Sequence, residues 1–261
     1  MRTGGRISGS ETNEDPISTT DGGSWVCSIK TTRWGHICGA SLITETMLLT
    51  AASCVVNNVG GEAEMSIECG SSNKQTRKVL KIRLNPSYRR SNIHIEHDLA
   101  LLITDRDFTL TRDVTTISLA GPPTKTLRPC YAFGWGGEVD GAVKNISLST
   151  SLISRSCLNE LRSILNKDDF NLNIDDTSEF CVLNEFCAGD GGAPVVCSYD
   201  GDNDENFVLE GVNSWGLSNR RGQCVFGDDS KPSVFASIRN HLKWVDQEYN
   251  KSLEKDSKVN F

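Results

Sequence analysis

Between residues 187 and 197 the chain reads Cys187-Ala188-Gly189-Asp190-Gly191-Gly192-Ala193-Pro194-Val195-Val196-Cys197. The residue after Asp190 is a glycine, which has no side chain and cannot attack a carbonyl. The cysteines at both ends belong to a total of ten, an even number that points to a disulfide framework and an oxidising compartment. Met1 is followed by a polar, glycine-rich lead without the apolar core of a signal peptide. A mature or trimmed form of a secreted protein reconciles the two. No run approaches the length of apolar residues that a membrane span needs.

Outward from that stretch, further segments carry structure. Ser24 to Lys30 alternates, with Trp25, Cys27 and Ile29 on one face of a half-buried strand. Met65, Ile67 and Cys69 alternate likewise, as do Leu80, Ile82 and Leu84, with Lys81 and Arg83 facing out. His36-Ile37-Cys38-Gly39-Ala40-Ser41-Leu42-Ile43 is followed by Met47-Leu48-Leu49-Thr50-Ala51-Ala52-Ser53-Cys54. Further on stand His97-Asp98-Leu99-Ala100-Leu101-Leu102, Cys130-Tyr131-Ala132-Phe133-Gly134-Trp135-Gly136, and Gly211-Val212-Asn213-Ser214-Trp215-Gly216. Ser233 to Ala236 reads as a last strand, and about Ile238 to Tyr249 as an amphipathic helix.

Taken in register, these motifs resemble the chymotrypsin/trypsin-like serine proteases over roughly residues 7–247. The resemblance implies an all-β fold of two six-stranded antiparallel β-barrels with a C-terminal helix and a crossover near 110–125. Residues 1–6 would be a residual activation segment, 7–247 the protease domain and 248–261 a charged tail. The Gly-Asp-Gly-Gly at 189–192 is similar to the family's nucleophile loop, and Gly191 stands where the serine belongs. Thr50-Ala51-Ala52-Ser53-Cys54 is similar to its histidine motif, with Ser53 in place of the histidine. The orienting acid survives as Asp98. The separations of 45 residues from Ser53 to Asp98 and 93 from Asp98 to Gly191 equal those of the family's triad.

The resemblance also implies the pairs Cys38–Cys54, Cys130–Cys197, Cys157–Cys181 and Cys187–Cys224. Cys27 and Cys69 remain, on apolar faces of strands that are neighbours in the family's first barrel. A fifth, cross-strand bridge is inferred; two buried free thiols are the alternative. Cleavage after Arg6 would free the Ile7 amine to pair with Asp190. The backbone N–H groups of Gly189 and Gly191 are where the family builds its oxyanion hole. Glu185 would form the floor of the specificity pocket, beside Phe186, Ser214, Gly216 and Ser233, the last replacing a wall glycine. Such a pocket is either plugged or, through its acid floor, attracts a basic side chain. The turn from Gly70 to Lys78 matches a loop that binds calcium in some relatives, but it contains no carboxylate.

A triad needs a hydroxyl nucleophile and an imidazole to take its proton. Serine has no pKa near 7 and is no general base, and loss of either partner alone costs on the order of a million-fold in turnover in a comparable enzyme. The chain is therefore read as a pseudoprotease, with the azurocidin-like loss of both residues. Strand alternation places His97 on the opposite face from Asp98, and His94, Glu96, His97 and Asp98 do not converge as zinc ligands. No cofactor and no metal are expected.

The net charge is −7, which disfavours nucleic acid and other polyanions in bulk, but the charge is uneven. Lys74, Arg77, Lys78, Lys81, Arg83, Arg89 and Arg90 form a run without an acid, while the segment from Leu158 to Glu205 holds twelve acids and two bases. This is either a two-pole steering field or two solvated faces. The expected function is a secreted, monomeric serine protease homologue that binds a protein partner (a protease, cascade component or receptor) as cofactor, decoy or inhibitor in a proteolytic or innate-immune cascade. The alternative is a glycosaminoglycan or microbial-surface binder using the basic run; least favoured is an active endopeptidase. The sequons at Asn145 and Asn250 fit an extracellular glycoprotein.

Overall fold

The apolar runs of the first half become β1 (Val26–Thr31), β2 (Gly35–Leu42), β3 (Met47–Thr50), β4 (Met65–Cys69), β5 (Gln75–Leu84) and, after the short pair β6 (Arg89–Arg90) and β7 (Ile95–Glu96), β8 (Ala100–Thr104). The computed structural model describes residues 23–91, 94–121, 127–134, 144–148, 157, 159, 161, 163, 178–183, 190–199, 207–216 and 232–256. The first six long strands close into a barrel in the order β1-β2-β3-β8-β5-β4. A four-residue helix, α1 (Ala52–Val55), leaves the end of β3.

β3 and β8 bury both faces, which is why they read as unbroken apolar runs. Ala100 and Leu102 point into the barrel with Cys27, Ile29, Leu48 and Ile67. Leu99 and Leu101 point the other way, into a core shared with Tyr131, Phe133, Val196 and Leu209 of the second half. Each such leucine contributes about 1.5–3 kcal/mol on burial. The same division corrects the expected face of β1. Cys27 and Ile29 line the barrel, but Trp25 lies ahead of the strand and packs edge-on against Phe133, with ring centroids 5.9 Å apart. In β5 the pairing with β8 slips between Val79 and Lys81. That bulge turns Leu80 out to 66% exposure and buries Val79 in its place.

The second half forms β9 (Ser118–Leu119), β10 (Leu127–Gly134), β11 (Lys144–Leu148), β12 (Glu179–Leu183), β13 (Pro194–Tyr199), β14 (Phe207–Gly216) and β15 (Pro232–Ser237). Six of these run in the order β11-β10-β13-β14-β15-β12, and β9 adds a parallel seventh beside β14. The crossover is thus not a free connection: Ile117 N donates to Leu42 O, and Ala120 N to Leu209 O. Cys130, Ala132, Phe180, Val195, Cys197 and Phe235 form the core of this sheet.

Arg239–His241 makes one 3₁₀ turn before the helix α2 (Leu242–Asp256). The helix passes beyond the expected Tyr249 and takes in part of the segment read as a tail. Its Lys, Glu, Gln and Leu residues are good helix formers, with no Gly or Pro to stop them. Among the described residues four disulfides are present: Cys38–Cys54, Cys130–Cys197, Cys157–Cys181 and the inferred cross-strand Cys27–Cys69, whose Cα atoms lie 4.3 Å apart. Cys187 and Cys224 lie outside the described residues. No described helix is long and apolar enough to cross a membrane.

Candidate functional site

The loop after Asp190 is clamped between the two halves by its own backbone. Gly191 O accepts from Gly39 N at 2.8 Å on the barrel side, and Gly192 N donates to Asn213 O at 2.8 Å on the other. Asn213 Nδ2 donates to Asp190 O at 3.0 Å. Gly192 has φ +76°, and a Cβ there would collide with Gly39 O and Thr50 Oγ1, so only glycine fits. Asp190 is buried against Gly134, where a Cβ would lie 2.5 Å from its Oδ1.

Gly191 faces the Cys38–Cys54 disulfide: a Cβ added there would sit 3.2 Å from Cys54 Sγ and 3.3 Å from Cys38 Sγ. Next to Cys54, at the start of α1, stands Ser53. Its backbone N–H donates to Asp98 Oδ1 at 2.7 Å and its hydroxyl to Oδ2 at 2.8 Å. Ser214, on β14, donates to the same Oδ2 at 2.6 Å. Positions 53, 98 and 191 therefore meet in space, as the sequence motifs imply. Asp98 is fully buried. Burial pushes its carboxyl above the usual carboxylate range, against the hydrogen bonds from Ser214 and Ser53 and the charge of Arg90.

The two histidines near Asp98 go elsewhere. His94 Nε2 lies 2.8 Å from Glu179 Oε2, and its ring meets Trp215 edge-on with centroids 5.8 Å apart. Burial raises the Glu179 carboxyl, opposed by His94. His97 does diverge from Asp98, but by a turn and not by strand alternation. Its φ is +49°, Leu99 N donates back to His97 O at 2.7 Å, and β8 begins only at Ala100. Its Nδ1 lies 3.0 Å from Nε2 of His241. Sequence reasoning missed both pairings, since His94 and Glu179 are 85 residues apart and His97 and His241 144. Among the described residues no three His, Cys, Asp or Glu side chains converge as metal ligands.

Of the expected pocket, Ser233 is buried opposite Gly216 in the β14–β15 register, and a Cβ on Gly216 would lie 3.0 Å from Ser233 Oγ. The hydroxyl thus takes up space at that wall. Glu185, Phe186 and Gly189, and the activation pair Arg6 and Ile7, lie outside the described residues. Asn145 falls in β11, paired with Phe133, and Asn250 is exposed on α2.

Much of the basic run is engaged within the chain. Lys74 reaches Glu68 at 3.0 Å and Arg83 reaches Glu248 at 3.5 Å. Arg77 stacks on Phe108 with 4.8 Å to the ring centroid and donates to Asp107 O. Arg89 donates to Pro86 O and Tyr88 O. The carboxylate-free loop after Gly70 is held by an anion from outside it. Asp113 accepts from Ser71 N, Ser71 Oγ, Ser72 N and Asn73 N at 2.6–3.0 Å. Those donors, the Ser71 hydroxyl first, hold its carboxyl down at about 2. No local pattern announces this contact, which spans 40–42 residues.

A family model described as Trypsin matches residues 13–245 of the chain. Human Serine protease 1 is 28% identical over 219 residues, covering 80% of this chain and 78% of the relative. Cationic trypsin-3 of Rattus norvegicus is 27% identical over 218 residues, covering 81% and 79%. Human Atrial natriuretic peptide-converting enzyme is 27% identical over 236 residues, which are 85% of this chain but 21% of that protein.

Proposed function

The chain belongs to the trypsin family, and on that premise we propose that it is a secreted, proteolytically inactive member that binds a protein partner as cofactor, decoy or inhibitor in a proteolytic cascade. One observation carries the reading. Where the family's chemistry takes place, this chain offers a hydroxyl on Asp98 and a glycine against a disulfide. Ser53 Oγ donates a hydrogen bond to Asp98, and position 53 has no imidazole to take a proton from a nucleophile. Gly191 has no atom to form an acyl bond. Around them the 190–193 loop is hydrogen-bonded to both halves of the fold, Ser214 donates to Asp98, and Gly216 pairs with Ser233. A site ordered by such contacts but lacking nucleophile and base suits binding. The disulfides suit an extracellular setting.

The polyanion alternative gains less support, because Lys74, Arg77, Arg83 and Arg89 have partners within the chain. Affinity for heparin falling steeply with salt would revive it.

Hydrolysis of a broad peptide library tests the proposal, with the native chain, the chain cleaved after Arg6, and the Ser53→His plus Gly191→Ser double variant. The native forms are expected to be silent and the double variant to cut. Activity of the native chain overturns the reading.

A further inference from the structure

We propose that the Cys38–Cys54 bridge is a reducible modification site, opened by small thiols such as glutathione that enter from the side of Gly191. Solvent access separates it from the other three described bridges. Cys27, Cys69, Cys130, Cys157, Cys181 and Cys197 are each no more than 1% exposed. Cys38 is 8% exposed, and Cys54 is more exposed still, at the margin of the core. A thiolate must reach a sulfur to exchange with it, so the accessible bridge reacts first. Both sulfurs face position 191. A Cβ there would stand 3.2 Å from Cys54 Sγ and 3.3 Å from Cys38 Sγ, in the way of an incoming thiolate, and glycine leaves that side without a side chain. The neighbouring Ser53 hydroxyl is turned onto Asp98 at 2.8 Å.

The thiolate attacks Sγ of Cys54, the more exposed partner, and a mixed disulfide forms there. The Cys38–Cys54 bond breaks, and Cys38 leaves as a thiolate that takes a proton from water. A second thiolate attacks the mixed disulfide at the reagent's sulfur. It carries the reagent away as its own disulfide, and the Cys54 thiolate is protonated in turn. Two thiols are oxidised and one bridge is reduced. Each end of that bridge adjoins an anchor of the site. Gly39, beside Cys38, donates its N–H to Gly191 O at 2.8 Å and accepts from Thr50 Oγ1 at 2.7 Å. Ser53, beside Cys54, holds both oxygens of Asp98. The bridge ties these anchors together across 16 residues, from β2 to α1. Reduction therefore loosens the surroundings of Gly191 and Asp98, while the buried bridges keep each half of the fold closed.

Timed exposure of the folded full chain to millimolar glutathione, trapping with N-ethylmaleimide and peptide mass mapping test this. Cys38 and Cys54 should be trapped at least about tenfold faster than the six buried cysteines, with the glutathione adduct on Cys54. Gly191→Ala places a Cβ against the sulfurs, which must shift slightly to accept it. It should slow trapping of these two cysteines at least about threefold and leave the other six unchanged. With the bridge reduced, hydrogen exchange at the amides of Gly39 and Ser53 should quicken at least about tenfold. Trapping of Cys38 and Cys54 no faster than of the buried six overturns the proposal, as does an adduct on Cys38 alone. Reduction at the native rate in folded Gly191→Ala, or unchanged exchange at Gly39 and Ser53, does so too.

Discussion

Ser53 donates its hydroxyl proton to Oδ2 of Asp98 across 2.8 Å, while its backbone N–H meets Oδ1 at 2.7 Å. In the triad the acid orients an imidazole; here it is capped by an alcohol and a second serine, Ser214. Asp98 has become a structural acceptor, buried and satisfied by three donors.

Asp98→Asn should accordingly be tolerated. The amide oxygen keeps the Ser53 N–H, and the two hydroxyls can turn to accept from the amide nitrogen. An acid whose native pKa is raised above 3.8 loses stability as pH climbs through that native value. Asn escapes this cost. Urea unfolding at pH 7 should place Asp98→Asn within about 1 kcal/mol of the native chain, or above it. Asp98→Ala, which orphans the Ser53 N–H, should lose about 1–3 kcal/mol. Equal losses for Asn and Ala would show that the charge itself is needed.

Asp113 provides a pH signature of opposite sign. Its native value of about 2 lies below the ordinary 3.8, so its contribution is complete above about pH 4 and disappears as pH falls towards 2. Exposure screens the carboxylate, which limits the effect to about 1 kcal/mol. Thermal unfolding of Asp113→Asn should differ from the native chain at pH 6 and converge with it near pH 2. A constant difference across that window would contradict the assignment.

Arg239 reaches Glu210 at 2.5 Å and donates to Gly121 O, tying the 3₁₀ turn ahead of α2 to β14 and the crossover. Burial raises the Glu210 carboxyl, held back by Arg239. Arg239→Met leaves that carboxylate buried and alone, at a cost of about 3–5 kcal/mol at pH 7. The raised acid makes this loss grow as pH rises above 4.5. Adding Glu210→Leu should recover most of it. Chemical unfolding at pH 5 and pH 8 measures both; failure of the second substitution to recover stability would refute the charge argument.

Short-range order in the sequence placed the fold well. The motif at Thr50–Cys54, the apolar run after Asp98 and the alternation at Cys27 and Cys69 each act over a few residues, and each is found where expected. The Cys27–Cys69 bridge was inferred from two strand faces together with the resemblance, which makes their strands neighbours in the first barrel. Leu80 was misplaced because a bulge depends on the partner strand's register, which β5 alone does not carry. The pairs His97–His241, His94–Glu179 and Asp113–Ser71 join side chains brought together by topology. Nothing local to either partner marks them. The helix runs past Tyr249 into the segment read as a charged tail, because the same charged residues have high helix propensity.

The most direct test of inactivity is covalent labelling by an organophosphonofluoridate, read by intact mass before and after cleavage at Arg6. Such reagents need a serine hydroxyl with an imidazole beside it as general base. The account predicts no adduct on either form, since Gly191 has no hydroxyl and the Ser53 hydroxyl is bound to Asp98. A stoichiometric adduct on any residue of the cleft would contradict it.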